Sequence, residues 1–196
     1  MVSSIFNDYT IILASKSPRR QYLLNELGID FKIIADSETD ESYPPGLSKE
    51  EIPVYLAEKK AKHALTNIPD KTLLITADTI VWLKGKVINK PAGYTPAIKM
   101  LEELSGEVHE VLTGVCLSTN MKRHSFYTST LVYFASLSKE EIKYYVEQYH
   151  PYDKAGAYGI QEWIGYIGIE RIEGSYFNVM GLPVQELYRE MIKFLS

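Results

Sequence analysis

The 196-residue sequence predicts a mixed α/β domain, a twisted sheet with strands in both directions and helices on its flanks. Three observations predict it. Short apolar, β-branched runs alternate with helix-patterned segments along the chain. Some strands are separated by a helix and others by a tight polar turn, so a regular strand–helix–strand array does not describe them. No repeat, low-complexity tract or interdomain linker breaks the pattern, so residues 1–196 are expected to form a single domain. Two lobes around a cleft are compatible with the pattern, which does not force them.

The elements follow in order. "IILA" (11–14) reads as a buried strand. Ser17-Pro18 reads as an N-cap followed by proline in the first helical position, and the helix runs through Gln21, Leu23, Leu24 and Leu27 to a stop at Gly28. "FKIIA" (31–35) is a second strand, and "DSETDESYPPGL" (36–47) an acidic, proline-rich loop. A helix is expected from Ile52 or Pro53 to Leu65, since proline is tolerated only in the first turn. "TLLITA" (72–77) is a strand leading into Asp78-Thr79, and "IVWLKGKVI" (80–88) a hairpin turning at Lys84-Gly85. A helix at 94–106 precedes two long strand-like segments, parted by the turn Asn120-Met121-Lys122. Ser138 with Glu141 three residues on is a capping box opening a helix to residue 149. "IGYIGIERIEG" reads as a strand, and "LPVQELYREMIKFL" as a terminal helix with Pro183 in its first turn.

The net charge of −4 and the pI near 5.6 argue against bulk binding to nucleic acid or an anionic membrane, while leaving room for a local basic pocket. The one cysteine, Cys116, lies in the apolar run "VLTGVCLS", which reads as buried filler and leaves no disulfide or zinc framework. With no leader and no apolar run near the ~18 residues a span needs, a cytoplasmic protein without a membrane partner is expected.

Arg19 and Arg20 stand in the first turn of their helix, against the positive end of its dipole, where each is disfavoured by about 0.3–1 kcal/mol. The arrangement makes sense if a phosphate chain occupies the turn, with the free N–H groups, Ser15, Ser17 and a guanidinium around it. The plain alternative is a capped helix whose arginines reach solvent or a surface carboxylate. Asp78 follows directly on an apolar strand, a usual place for a catalytic or metal-binding acid, although such an aspartate also starts ordinary turns. Asp40 and Glu41 offer further oxygens to Mg²⁺; solubility explains an acidic loop equally well. Lys60 and Lys90 complete a possible phosphate clamp, though a solvated helix face and a loop charge before Pro91 account for them singly. In "DKAGAYGIQEWIG" (153–165) small residues permit close backbone approach to a flat ligand, although they also pack tight turns, and Gln161 carries the donor and acceptor that suit a base edge. The four histidines have no metal spacing, and neither a Walker loop nor a G-x-S-x-G elbow is present.

Taken together, "LASKSPRRQYLL", "TADTIVWLKGKVINKP", "MLEELSGEVHEVLTGV", "DKAGAYGIQ" and "GSYFNVMGLPV" resemble, in order, the Maf family of nucleoside triphosphate pyrophosphatases, from about residue 11 to 190. The resemblance implies a fold like that of inosine-triphosphate pyrophosphatases, with a deep nucleotide cleft. It implies hydrolysis between the α and β phosphates to NMP and pyrophosphate, with Mg²⁺ or Mn²⁺, and suggests a homodimer. Carried over by motif, Asp78 is the catalytic acid, Arg19, Thr79 and Gln161 fall at substrate-specificity positions, and Lys60 and Lys90 match phosphate-binding lysines. One extra residue near Asp40-Glu41 leaves either of them as the equivalent acidic ligand beside Asp78. The absence of an aromatic insertion before Arg19, together with Thr79 and Gln161, resembles the dTTP/UTP branch rather than the 7-methyl-GTP branch. The family name also implies a role in arrest of septum formation. A nucleotide-binding regulator without turnover is the competing expectation.

Overall fold

A computed structural model describes residues 4–34, 40–64 and 69–196. Ala35 at the end of the second predicted strand, residues 36–39 of the acidic loop and Leu65 at the end of the second predicted helix lie outside the described residues. After a 3₁₀ turn at Ser4–Asp8, the chain forms β1 (Thr10–Ala14), α1 (Pro18–Asn25), β2 (Lys32–Ile34), α2 (Glu51–Ala64), β3 (Thr72–Leu83) and β4 (Lys86–Ile88). It continues through α3 (Tyr94–Leu104), β5 (Val108–Ser118), β6 (Arg123–Phe134), α4 (Lys139–Tyr149) and a 3₁₀ turn at Ala155–Ala157. It ends with α5 (Trp163–Gly168), β7 (Ile169–Glu173), α6 (Tyr176–Met180) and α7 (Val184–Leu195). The described strands form one open seven-stranded sheet in the order β2-β1-β3-β5-β6-β7, with β4 beside β3. β1 runs parallel to β2 and β3, whereas β3–β4 and β6–β7 pair antiparallel, so the sheet is mixed, as the sequence predicts.

The chain divides into two compact units, one of Met1–Asp78, Thr113–Thr128 and Gly181–Ser196, the other of Thr79–Leu112 and Ser129–Met180. In the first, α2 turns a stripe of Ala57, Lys60 and Ala61 inward at helical spacing. Ala57 and Ala61 pack with Ala14, Leu74 and Cys116, side chains small enough for a helix to lie close on a sheet. Thr76 Oγ1 donates to Ala57 O at 2.7 Å and pins the helix there.

Two readings of the sequence need correction. The segment expected as one strand over "IGYIGIERIEG" is helical through Gly168 and becomes β7 only at Ile169. Its buried positions, Ile164 and Gly168, are four apart, a helical repeat that the β-branched isoleucines masked. Asp78 does not stand at a strand end: β3 passes through it and continues to Leu83. By contrast the turn at Lys84-Gly85 is where expected, both residues having positive φ (48° and 84°), and the Ser138–Glu141 capping box is complete.

In the second unit His109 is 1% exposed, its Nε2 2.7 Å from Tyr158 Oη and its ring packed against Phe134 and Tyr158. Burial penalises the imidazolium and pulls the pKa from 6.5 down to about 4. The unfolded chain therefore takes this proton first as the pH falls. The stability His109 contributes is complete above pH 6.5 and is lost between 6.5 and 4, reaching about 2 kcal/mol lost by pH 5. Urea midpoints at pH 7.5 and 5.0 should show this loss in wild type, and a smaller one in His109→Gln. Equal losses in the two proteins would contradict the account.

Candidate functional site

The residues of the first turn of α1 are arranged by a chain of short-range hydrogen bonds. Ser15 is 4% exposed at the end of β1, and its Oγ accepts from Ser17 N–H at 3.2 Å. Ser17 caps the helix, with Oγ 3.5 Å from Arg20 N, and Gln21 Nε2 donates to Ser15 O at 3.0 Å. No acidic residue lies in the first turn, so its positive end is not neutralised from within the helix.

The second of the two arginines is held by backbone oxygens. Arg20 is a structural clamp: its Nε donates to Gly181 O and its Nη1 to Ala77 O, both at 2.8 Å. The guanidinium fork thus joins α1 to β3 one residue before Asp78 and to the segment leading into α7. Nothing in the local pattern separates Arg20 from Arg19, so this role is not legible in the sequence. Its signal was the geometry of the fork, which local patterning does not carry. Arg20→Lys keeps the charge and loses the fork, so it should cost about 1.5–3 kcal/mol of stability by chemical denaturation. A change under about 0.5 kcal/mol would mean that the two bonds contribute nothing net.

Asp78 lies 6% exposed within β3, and Lys60 reaches it from α2, 8% exposed, donating Nζ to Oδ1 at 2.6 Å. Glu41 Oε1 stands 3.8 Å from the same ammonium. Lys60 is therefore not part of a solvated helix face; it is held on the inward stripe of α2 because a carboxylate awaits it there. An unpaired buried charge costs several kcal/mol, so each member of the Lys60–Asp78 pair depends on the other.

Asp40 belongs to a different group. It accepts from Ser42 Oγ and, at 3.0 Å, from Ser42 N, and Lys59 Nζ donates to it at 3.1 Å. The Ser42 hydrogen bonds, followed by Lys59, hold its carboxyl down to about 2. Of the two acids left open by the sequence, Glu41 is the one that shares a cation with Asp78 in this structure.

Two carboxylates converging on one ammonium make a donor set of hard oxygens that fits a hard divalent cation. Among the described residues no group of three or more His, Cys, Asp or Glu gathers as a metal cage.

The second unit carries Thr79, Lys90 and Gln161. Lys90 is exposed just after β4, and Gly156 N–H donates to Asn89 O at 3.2 Å, tying this segment to the turn that precedes Gln161. Gly156 has φ of 72°, and a Cβ there would meet Val81 Cγ2 at 3.1 Å, so the backbone at this position lies close against a side chain of the protein itself. Gln161 Oε1 is buried with no hydrogen-bond partner among the described residues, an acceptor left over in an otherwise satisfied segment.

Cys116 is fully buried, 3.3 Å from Ser118 Oγ, and serves as filler. Among the described residues no helix is long and apolar enough to cross a membrane.

The sequence matches the Maf-like protein family over residues 10–194. A dTTP/UTP pyrophosphatase of Phocaeicola vulgatus is 56% identical over 186 residues, 94% of this chain and 96% of that protein. A dTTP/UTP pyrophosphatase of Bacteroides fragilis is 54% identical over 183 residues, 93% and 95% of the two chains. Among solved structures, a HAM1 protein from Coxiella burnetii aligns over 94% of this chain and 99% of that one, with 16% identity and a TM-score of 0.49. With a family match spanning nearly the whole sequence and relatives sharing more than half their residues with it, this chain belongs to the Maf family.

Proposed function

We propose that this chain is a nucleoside triphosphate pyrophosphatase that hydrolyses dTTP and UTP to the nucleoside monophosphate and pyrophosphate. The observation that carries the reading is the buried Lys60–Asp78 pair with Glu41 beside it, in the unit that also holds the Ser15–Arg20 turn. A pure binding protein has no need of a buried carboxylate where phosphates would lie. The names of the relatives at 53–56% identity supply the substrates.

In this reading Ser15, Ser17, Arg19 and the N–H groups of α1 receive phosphate oxygens, and Lys60 and Lys90 take the β and γ phosphates. Asp78 takes a proton from the attacking water, whose oxygen bonds to the α phosphorus as the bond to pyrophosphate breaks. Mg²⁺ or Mn²⁺, held by Asp78 and Glu41 together with the phosphates, would supply charge neutralisation and polarise the water. Thr79 and Gln161 read the pyrimidine. The orphaned Gln161 Oε1 supports this, because N3–H of uracil or thymine is a donor and the same position in cytosine is not. All 196 residues work as one domain, as a cytoplasmic homodimer without a nucleic-acid partner.

Pyrophosphate release from dTTP, UTP, CTP, GTP, ATP and 7-methyl-GTP, with Mg²⁺ and with Mn²⁺, tests the reading. Turnover of dTTP and UTP at least about tenfold above the others is expected. Preference for 7-methyl-GTP would overturn the branch, and nucleotide binding without turnover under either metal would favour a regulator of septum formation. Sedimentation velocity checks the dimer.

A further inference from the structure

Gln161 sits in a turn held more firmly than a surface turn needs to be. Glu162 N–H donates to Gly159 O at 3.0 Å and closes the turn around Gln161. Gly159 N–H in turn donates to Tyr145 Oη at 3.0 Å. The same hydroxyl donates to Glu162 Oε2, so one tyrosine grips the turn at both ends. The other oxygen of that carboxylate, Oε1, takes Lys154 Nζ at 3.1 Å, and Lys154 also reaches Asp153 Oδ1 at 2.8 Å. Tyr145 has no exposed surface and Lys154 only 8%. Beside this grip, Tyr144 packs edge-on to Trp163 with ring centroids 4.9 Å apart, fastening the residue that opens α5.

A buried ion pair such as Lys154–Glu162 is often no more stabilising than apolar side chains of similar volume, so stability alone is a weak reason for it here. Two of these bonds hold the Gly159–Glu162 backbone directly, the Glu162 carboxylate ties Tyr145 to Lys154, and the turn so held carries Gln161. A base-reading amide must be held to within about 0.5 Å and 10–20° to discriminate, and side chains achieve this when a surrounding shell locks them.

We propose that Tyr145, Glu162 and Lys154 are positioning residues for base selection, locking the Gly159–Glu162 turn so that Gln161 presents its amide to the pyrimidine edge in a fixed orientation. The inference rests on the reading of Gln161 as the base-contacting residue. None of the three touches substrate or the reacting atoms. Their loss acts on which base is accepted and how tightly, and leaves the phosphate chemistry alone.

The test uses full-length protein carrying Tyr145→Phe, Glu162→Gln, Gln161→Ala, or Tyr145→Phe together with Gln161→Ala. For each, kcat and KM are measured for UTP and CTP with Mg²⁺, Kd for both nucleotides is measured by calorimetry in EDTA, and the unfolding midpoint is recorded. Tyr145→Phe deletes one oxygen and keeps the ring, and Glu162→Gln keeps the shape and an acceptor, so the second variant stands in should the first fail to fold. The expected result is a fall of about tenfold in the UTP-over-CTP ratio for either variant, carried by KM and Kd with kcat within about twofold. Adding Tyr145→Phe to Gln161→Ala should lower the ratio no further.

A lowered unfolding midpoint with the ratio unchanged in both positioning variants, while Gln161→Ala shifts it, would overturn the proposal and leave the base reading standing. An equal fall from Tyr145→Phe with and without Gln161 would overturn it too, since the tyrosine would then act by another route. A ratio unmoved by Gln161→Ala itself would remove the base reading, and the proposal with it.

Discussion

Asp78→Asn is expected to lower pyrophosphate release from dTTP and UTP by about 10²- to 10⁴-fold while the protein remains folded. Asparagine occupies the same space and still offers an oxygen to Lys60 Nζ, now 2.6 Å from Oδ1. It lacks the charge that would share a divalent cation with Glu41 and the basicity to take a proton from water. The isosteric amide is the informative substitution. Alanine would take from a buried lysine both the carboxylate and any oxygen at Asp78, at a cost of up to about 3–5 kcal/mol, and confuse loss of fold with loss of chemistry. Glu41, 3.8 Å from the same ammonium, gives Lys60 a remaining carboxylate in the asparagine variant. Turnover and thermal unfolding should be measured on the same preparation. A folded Asp78→Asn protein within about tenfold of wild-type turnover would remove Asp78 from the chemistry.

Gly114→Ala is expected to be among the most destabilising single-methyl additions in the chain, costing at least about 3 kcal/mol. Gly114 lies within β5, and a Cβ built on it meets Pro53 C at 2.3 Å, Pro53 O at 2.4 Å and Val54 N at 2.4 Å. All three are backbone atoms, so no side chain can rotate out of the way. Relief requires the first turn of α2 to lift from the sheet. That helix carries Ala57, Ala61 and Lys60, so the displacement would loosen the small-residue packing and draw the ammonium away from Asp78. Chemical denaturation should show the midpoint falling without a change in slope, and residual activity should fall with it. Retention of wild-type stability would mean that α2 can move off β5 at little cost.

The sequence by itself determined the local elements and the list of residues able to do chemistry. The Ser17 cap with Pro18, the Ser138–Glu141 capping box and the Lys84-Gly85 turn were legible because each depends on neighbours within four residues. The motif blocks carried Arg19, Asp78, Thr79, Lys90 and Gln161 for the same reason: spacing along the chain is fully written in it. What only the tertiary structure decided is which partners such residues meet. Lys60 was indistinguishable from a solvated helix lysine until α2 lay against β3 and put Asp78 within 2.6 Å of it. Arg20 separated from Arg19 only when Ala77 O and Gly181 O came within reach of its fork. Glu41 was distinguished from Asp40 by which ammonium each one faces. The single isolated glycine of "VLTGVCLS" gave no sign that a helix backbone presses on it. Propensity and capping act over one turn or one strand, whereas charge pairing, close backbone approach and burial depend on segments tens of residues apart meeting in space.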